Sequence, residues 1–233
     1  MAIQETKLGV IDKKLCYQLW GGDDVDWRSA PAIGRSGGII TMWDNKRGTF
    51  VSSFQGQGYL GVILKWGANM NKCVIVNVYA PCLLQTKKAL WVDLLVALRT
   101  YGTDLFCIIG DFNSVRNLAE RKGVRAGVEG AEDTRIFNVF LENTGLVDLP
   151  LMGRKYTWVQ PNGRCMSRLD RILISHNWEE CWGATSLWGL KRDVSDHCPL
   201  IVRYEGYDWG PKPFRFNNFW LKNKDFPKVV AAE

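Results

Sequence analysis

A two-sheet α/β sandwich is the fold class that the sequence predicts, on three observations. Short runs rich in β-branched and aromatic residues recur along the chain and outnumber its helical stretches. Only two segments, 86–101 and 132–143, carry the apolar spacing of an amphipathic helix. Long helical crossovers between strands are therefore few, which favours packed sheets over a doubly wound parallel sheet.

In chain order, residues 38–43, 59–66 and 73–79 read as strands. Residues 86–101 then switch to helical spacing, with Leu90, Leu94 and Leu98 in line and Trp91 and Leu95 widening the stripe. Leu105-Phe-Cys-Ile-Ile109 is a continuous apolar run, the mark of a strand buried on both faces. Residues 115–131 are polar and contain glycine, which predicts a surface loop. Residues 132–143 place Ile136, Phe137, Phe140 and Leu141 on one helix face, with Gly145 suited to the C-cap. Strands are expected at 155–160, 168–174 and 199–204. The domain is read as 1–204. Residues 205–233, broken by Gly and Pro, are read as a tail or linker.

Composition narrows the class. The chain has 233 residues, 46% hydrophobic and 23% charged, which excludes disorder, collagen and coiled coil. No apolar run approaches the ~18 residues that span a bilayer, and the first residues lack a signal-peptide pattern. An intracellular protein, nuclear or cytoplasmic, with no membrane partner is expected. Seven cysteines, odd in number and without a C-x-x-C, argue against a disulfide scaffold or structural zinc. Two histidines exclude a three-histidine metal site within the chain. The net charge of +6 suits a polyanionic partner, and residues 150–192 hold seven Lys/Arg against three Asp/Glu.

Several motifs could carry chemistry. Gly56-Gln-Gly-Tyr-Leu-Gly61 spells a dinucleotide fingerprint, but Val62-Ile-Leu64 prefers strand where that motif needs a helix. Asp111 and Asn113 leave the buried strand two residues apart, a carboxylate beside a carboxamide. Taken alone, the pair fits a plain Asx turn better than a catalytic role. Ser195-Asp-His197 sets an acid and an imidazole directly before a strand, where a surface turn is the plainer reading. In Arg168-Leu-Asp-Arg-Ile-Leu-Ile174, alternation puts Asp170 on one face with Ile172 and Ile174, half-buried and in need of an arginine or histidine partner. Nothing local distinguishes Glu5.

Together, in order, Gln4-Glu-Thr6, Val78-Tyr-Ala-Pro81, Gly110-Asp-Phe-Asn113, Arg168-Leu-Asp-Arg-Ile-Leu173 and Ser195-Asp-His197 resemble the endonuclease–exonuclease–phosphatase superfamily. The resemblance runs from about Glu5 to Tyr204. Met152-Gly-Arg-Lys-Tyr-Thr-Trp158 and the Pro213–Trp220 tail look most like the endonucleases of plant LINE-type (non-LTR) retrotransposons. The resemblance implies a DNase-I-like sandwich and a Mg²⁺-dependent endonuclease, with Mn²⁺ as an alternative ion and DNA as the partner. It implies Glu5 and Asp196 as metal-site residues, Tyr79 at the phosphate and Asp111 and Asn113 at the attacking water. Asp170 would orient His197, and a hydrogen bond between them is expected. His176 is expected at a turn or helix start. The tail would lead toward a reverse transcriptase.

The family begins with a strand and helix ahead of the metal-binding glutamate, and this chain starts four residues before Glu5. The first strand and helix are thus expected to be missing, leaving unpaired strand edges and apolar surface, and catalysis is in question for that reason. Two alternatives stay open: a phosphatase of a small phosphate ester in the same fold, and a non-catalytic basic remnant that binds nucleic acid. Oligomeric state is not readable from the sequence.

Overall fold

The computed structural model describes residues 1–33, 36–102, 105–123 and 128–204. The tail expected at 205–233 lies outside the described residues. The elements are β1 (Ala2–Gln4), α1 (Lys13–Trp20), β2 (Val25–Ile33), β3 (Ser36–Asp44), β4 (Gly48–Gly56), β5 (Tyr59–Trp66), β6 (Asn71–Tyr79), α2 (Leu84–Tyr101) and β7 (Leu105–Asp111). They continue with a 3₁₀ turn (Leu118–Glu120), β8 (Arg121–Lys122), α3 (Val128–Thr144), β9 (Val147–Asp148), β10 (Leu151–Met152), β11 (Trp158–Val159), β12 (Met166–Ser167), β13 (Asp170–Ile174), α4 (Asn177–Trp182), β14 (Thr185–Gly189) and β15 (Leu200–Tyr204).

A six-stranded sheet in the order β4-β5-β6-β7-β13-β9 forms the centre. The β6–β7 pair is parallel and α2 makes its crossover; the other pairings of the sheet are antiparallel. One face carries α2 and α3 on an aromatic cluster of Trp91, Phe112, Phe137 and Phe140, with Trp91 and Phe140 stacked at 4.6 Å between centroids. On the other face, Leu60, Val62, Leu64, Ile172 and Ile174 pack against Ile39 and Trp43 of β3 and Leu187 of β14. Two three-stranded sheets, β1-β3-β2 and β10-β14-β15, share that second face. This is the expected two-sheet α/β sandwich, with its outer layer in two pieces.

Helix α1 covers the outside of β3 through Cys16, Ile40 and Met42. It starts where the Asp12 carboxylate accepts the Leu15 N–H at 2.8 Å and stops at Gly21 in the left-handed region. Burial on both faces explains the unbroken apolar runs 59–64 of β5 and 105–109 of β7, whereas β4, at the sheet edge, is largely exposed. Gly56 to Gly61 closes the β4–β5 hairpin: Gly58, at φ 85°, turns the chain and its carbonyl accepts the Tyr79 N–H. The apparent dinucleotide fingerprint is a hairpin turn.

Three expectations need correction. Helix α3 starts at Val128, inside the segment read as loop, and residues 118–122 form a 3₁₀ turn and a short strand. The strand expected over 155–160 is confined to Trp158–Val159, because Thr157 bonds across to Ser167 and Cys198 instead of extending a ladder. The β13 strand is buried on both faces. Arg171, on the face opposite Asp170, is fully buried, with its guanidinium on Glu120 and on Asp148 at 2.7 Å.

Candidate active site

The central sheet builds the site at one end of three adjacent strands. Register places Tyr79, the last residue of β6, opposite Asp111, the last of β7, and Asp111 opposite Asp170, the first of β13. Gly110 adopts φ 137°, and a Cβ there would strike the Val78 carbonyl. Glycine lets β7 lie against β6 one residue before Asp111.

Asp111 is buried at 4% exposure. Its Oδ1 accepts the Asn113 N–H at 2.8 Å, which holds Asn113 in the left-handed region at φ 48°. The Asn113 carboxamide donates to the Ala80 carbonyl at 2.7 Å. From beneath, the Lys87 ammonium of α2 donates to the Asn113 carbonyl at 2.6 Å, Ser114 Oγ at 3.0 Å and Asp133 Oδ1 of α3 at 2.9 Å.

The carboxylate–imidazole bond expected between Asp170 and His197 is present, with Nδ1 and Oδ2 at 2.8 Å. The other ring nitrogen lies 4.0 Å from Asp111 Oδ2, so the imidazole stands between two acids. Thr157, fully buried, accepts the Leu169 and Asp170 N–H groups at 2.9 and 3.0 Å and fixes the start of β13. Trp158 bridges to His197, and its indole N–H donates to Asp196 Oδ2 at 2.9 Å. The Ser195 hydroxyl accepts the His197 N–H at 3.0 Å.

Glu5 follows β1 in the left-handed region, at φ 52°, and accepts the Tyr79 hydroxyl. A cleft of about 590 Å³ is lined by Glu5, Tyr79, Asp111, Asp170, Asp196 and His197. Asn113 does not line it; its side chain turns to Ala80. His176 caps α4 at its N-terminal end, away from the cleft.

Burial pushes the Asp111 carboxyl up to about 7, helped by the Asp170 charge and opposed by His197. Burial alone would lower the His197 imidazole. The Asp170 hydrogen bond and the charges of Asp170, Asp111 and Asp196 outweigh it and push the imidazole up to about 9. Burial and the Glu5 hydrogen bond raise the Tyr79 phenol.

Among the described residues, no three His, Cys, Asp or Glu side chains are grouped to hold a metal ion. Glu5 and Asp196 nonetheless offer carboxylates to one cleft. A Mg²⁺ ion keeps most of its waters and needs only one or two carboxylates. An all-oxygen donor set fits such a hard cation.

Thr157, Trp158 and Lys87 escaped the sequence reading. Thr157 and Trp158 lie in the Met152–Trp158 segment, so their neighbourhood was marked though their contacts were not. Lys87 left one trace, a lysine within the apolar stripe of α2.

Residues 1–197 match the Endonuclease/Exonuclease/phosphatase family, and the chain belongs to it. Its fold is similar to the endonuclease domain of TRAS1, a telomere-specific non-LTR retrotransposon: TM-score 0.59, 16% identity, covering 79% of this chain and 81% of that one. It is also similar to an endonuclease/exonuclease/phosphatase from Bacteroides vulgatus: TM-score 0.60, 13% identity, covering 88% and 84%. The human Nocturnin catalytic domain aligns with TM-score 0.55 and 16% identity over 87% and 80%. A search of curated proteins returned no match. The family is one of hydrolytic enzymes, nucleases and phosphatases among them. No helix among the described residues is long and apolar enough to cross a membrane.

Proposed function

We propose that the chain is a divalent-metal-dependent endonuclease that nicks DNA and leaves a 3′-hydroxyl, of LINE-type retrotransposon origin. The observation that carries this reading is the Asp111–His197–Asp170 row, two buried carboxylates with a half-buried imidazole between them, sharing one cleft with Glu5 and Tyr79. Glu5 and Asp196 would hold Mg²⁺ or Mn²⁺, and the ion would neutralise charge growing on the phosphate oxygens.

The two raised proton affinities divide the roles. His197, raised to about 9, is a cation at neutral pH. Held by Asp170, it offers Nε2–H to a phosphate oxygen on which charge develops. Asp111, at about 7, takes a proton from water near neutral pH. Tyr79, kept protonated, donates through its hydroxyl. Asn113 holds the turn after Asp111 and acts by position.

DNA as the substrate rests on the surroundings of the cleft. Arg154, Lys155, Arg164 and Lys191 are exposed on loops that flank Trp158 and His197 in the sequence, and would supply cations for phosphates. Arg168 and Arg171 do not contribute, being tied up with Glu120 and Asp148.

The test is nicking of supercoiled plasmid by the purified chain with Mg²⁺, with EDTA, and as His197→Ala. Metal-dependent nicking lost in the variant supports the reading. Hydrolysis of a small phosphate ester without nicking would point to a phosphatase. Salt-sensitive DNA binding without cleavage would point to a binding remnant.

A further inference from the structure

Asp196 sits on an exposed loop, two residues after Val194, which is 99% exposed. An aspartate in such a place ordinarily samples several rotamers and turns both oxygens to water. Here one rotamer is held. The Trp158 indole N–H donates to Asp196 Oδ2 at 2.9 Å, a charge-assisted bond from the one polar atom of the ring. Among the described residues, no hydrogen bond or ion pair falls on Oδ1, and Asp196 lines the cleft.

The backbone makes this contact firm. The Cys198 N–H bonds to the Thr157 carbonyl at 2.6 Å and the Val159 N–H to the Asp196 carbonyl at 2.9 Å. Trp158 therefore stands directly opposite His197, as a non-hydrogen-bonded antiparallel pair. The ring is half-buried, which limits its freedom. Two successive residues thus brace the two acids that flank the histidine's work: Thr157 holds the Asp170 backbone and Trp158 the Asp196 carboxylate. Glu5 is treated alike. Its Oε1 accepts the Tyr79 hydroxyl, while Oε2 has the exposed Lys7 ammonium at 3.7 Å, a pair that solvent screens. Each acid has one oxygen committed to an aromatic donor.

We propose that Trp158 is a positioning residue that makes Asp196 a one-oxygen ligand, and so favours a small octahedral cation, Mg²⁺ or Mn²⁺, over Ca²⁺. The inference rests on the reading of Glu5 and Asp196 as the metal carboxylates. Ca²⁺ takes six to eight oxygens and uses carboxylates through both of theirs; Mg²⁺ keeps several waters and needs few protein oxygens, in strict geometry. A carboxylate with Oδ2 occupied by an indole N–H has only Oδ1 to give. Fixing that oxygen in advance removes the entropy cost of ordering an exposed side chain when the ion binds. A phenylalanine would fill the same half-buried place and pair its backbone with His197 equally well. The N–H is what tryptophan adds, and it reaches Asp196.

The experiment uses the full chain without substrate. Binding of Mn²⁺ alone is followed by loss of its free-ion EPR signal, and binding of Ca²⁺ alone by calorimetry. In the parent, Mn²⁺ binding that disappears in Glu5→Gln supports the reading of the cleft. In Trp158→Phe the Mn²⁺ affinity should fall by about 10–100-fold while the Ca²⁺ affinity holds, because Asp196 is then free to give both oxygens. Benzothienylalanine at position 158 exchanges the N–H for sulfur at nearly the same shape and should behave alike, which covers the case in which phenylalanine disturbs the strand. In the metal-free protein the Trp158 indole N–H should exchange slowly with solvent, and faster in Asp196→Ala. Equal loss of both ions would mark a merely structural role and overturn the proposal. Unchanged Mn²⁺ affinity in both variants would overturn it while leaving the metal site standing. A parent that binds no Mn²⁺ in the cleft would overturn both readings.

Discussion

The Asp170 carboxylate and the His197 imidazole meet at 2.8 Å across 27 residues of sequence, and the same imidazole lies 4.0 Å from Asp111. One ring thus ties the start of β13 to the loop before β15 and faces the end of β7. Asp170→Asn keeps the shape and removes the charge. The His197 proton affinity should fall, since the Asp170 hydrogen bond and charge are the leading causes raising it. NMR titration reads this directly, because His176 is the only other histidine. Nicking should fall by about 10²–10⁴-fold. An unchanged titration would remove Asp170 from its orienting role.

The pH dependence of stability has a definite sign in the metal-free protein. His197 in the fold is raised from 6.5 to about 9, so its contribution is complete below 6.5 and is lost as pH rises through 9. Asp111 is raised from 3.8 to about 7, so the fold favours its protonated form and loses stability as pH climbs through that window. Both push the same way. Urea unfolding in EDTA should show these two groups lowering stability from about pH 4 to about pH 9, Asp111 over the acid part and His197 over the part above 6.5. The His197 share is on the order of 2 kcal/mol after allowing for its partial exposure, and His197→Ala should flatten that part of the curve.

The strands that build the site were legible because burial on both faces leaves an unbroken apolar signature. The run 105–109 announces β7, and 59–66 announces β5. Edge strands were less legible: β15 was expected at 199–204, but β2 and β4 were not. β2 carries Asp26, Arg28 and Pro31, which weaken any strand reading, yet an edge position tolerates a proline. Helix α1 is eight residues long, too short for its periodicity to stand out. The candidate site residues could be named only through the order of their motifs, since periodicity says nothing of Glu5 or Asp196. Side-chain direction was beyond the sequence: Asn113 lies two residues after Asp111, yet its carboxamide points to Ala80. The partners that brace the site from other elements, Lys87 and Thr157, came only with tertiary contacts.

Lys87 joins α2, α3 and the turn after Asp111. Its side chain is 4% exposed and that of Asp133 is 10% exposed, and they pair at 2.9 Å. Lys87→Met removes the cation and, among the described residues, leaves Asp133 buried with Ser114 and the more distant Arg121. The expected cost is about 3–5 kcal/mol, because breaking a buried pair strands the other charge. Adding Asp133→Leu should recover part of it. Denaturant midpoints of the single and double variants test this, and a single variant as stable as the parent would show the pair to be dispensable.

Thr157 makes the sharpest single-atom test of how the site is braced. One hydroxyl oxygen, fully buried, accepts the N–H groups of Leu169 and Asp170 as the chain enters β13. Thr157→Val keeps the side-chain shape and deletes the acceptor, leaving two buried donors without a partner. The expected cost is about 1–3 kcal/mol for each donor left unsatisfied. Thr157→Ser restores the oxygen at the loss of one methyl and should recover most of the stability. The displacement should also reach His197, because Asp170 is both the residue whose N–H is released and the one whose carboxylate holds the imidazole. A downward shift of the His197 titration in Thr157→Val, reversed in Thr157→Ser, is the expected pattern. A valine variant with parental stability and titration would mean that the β13 ladder alone positions Asp170.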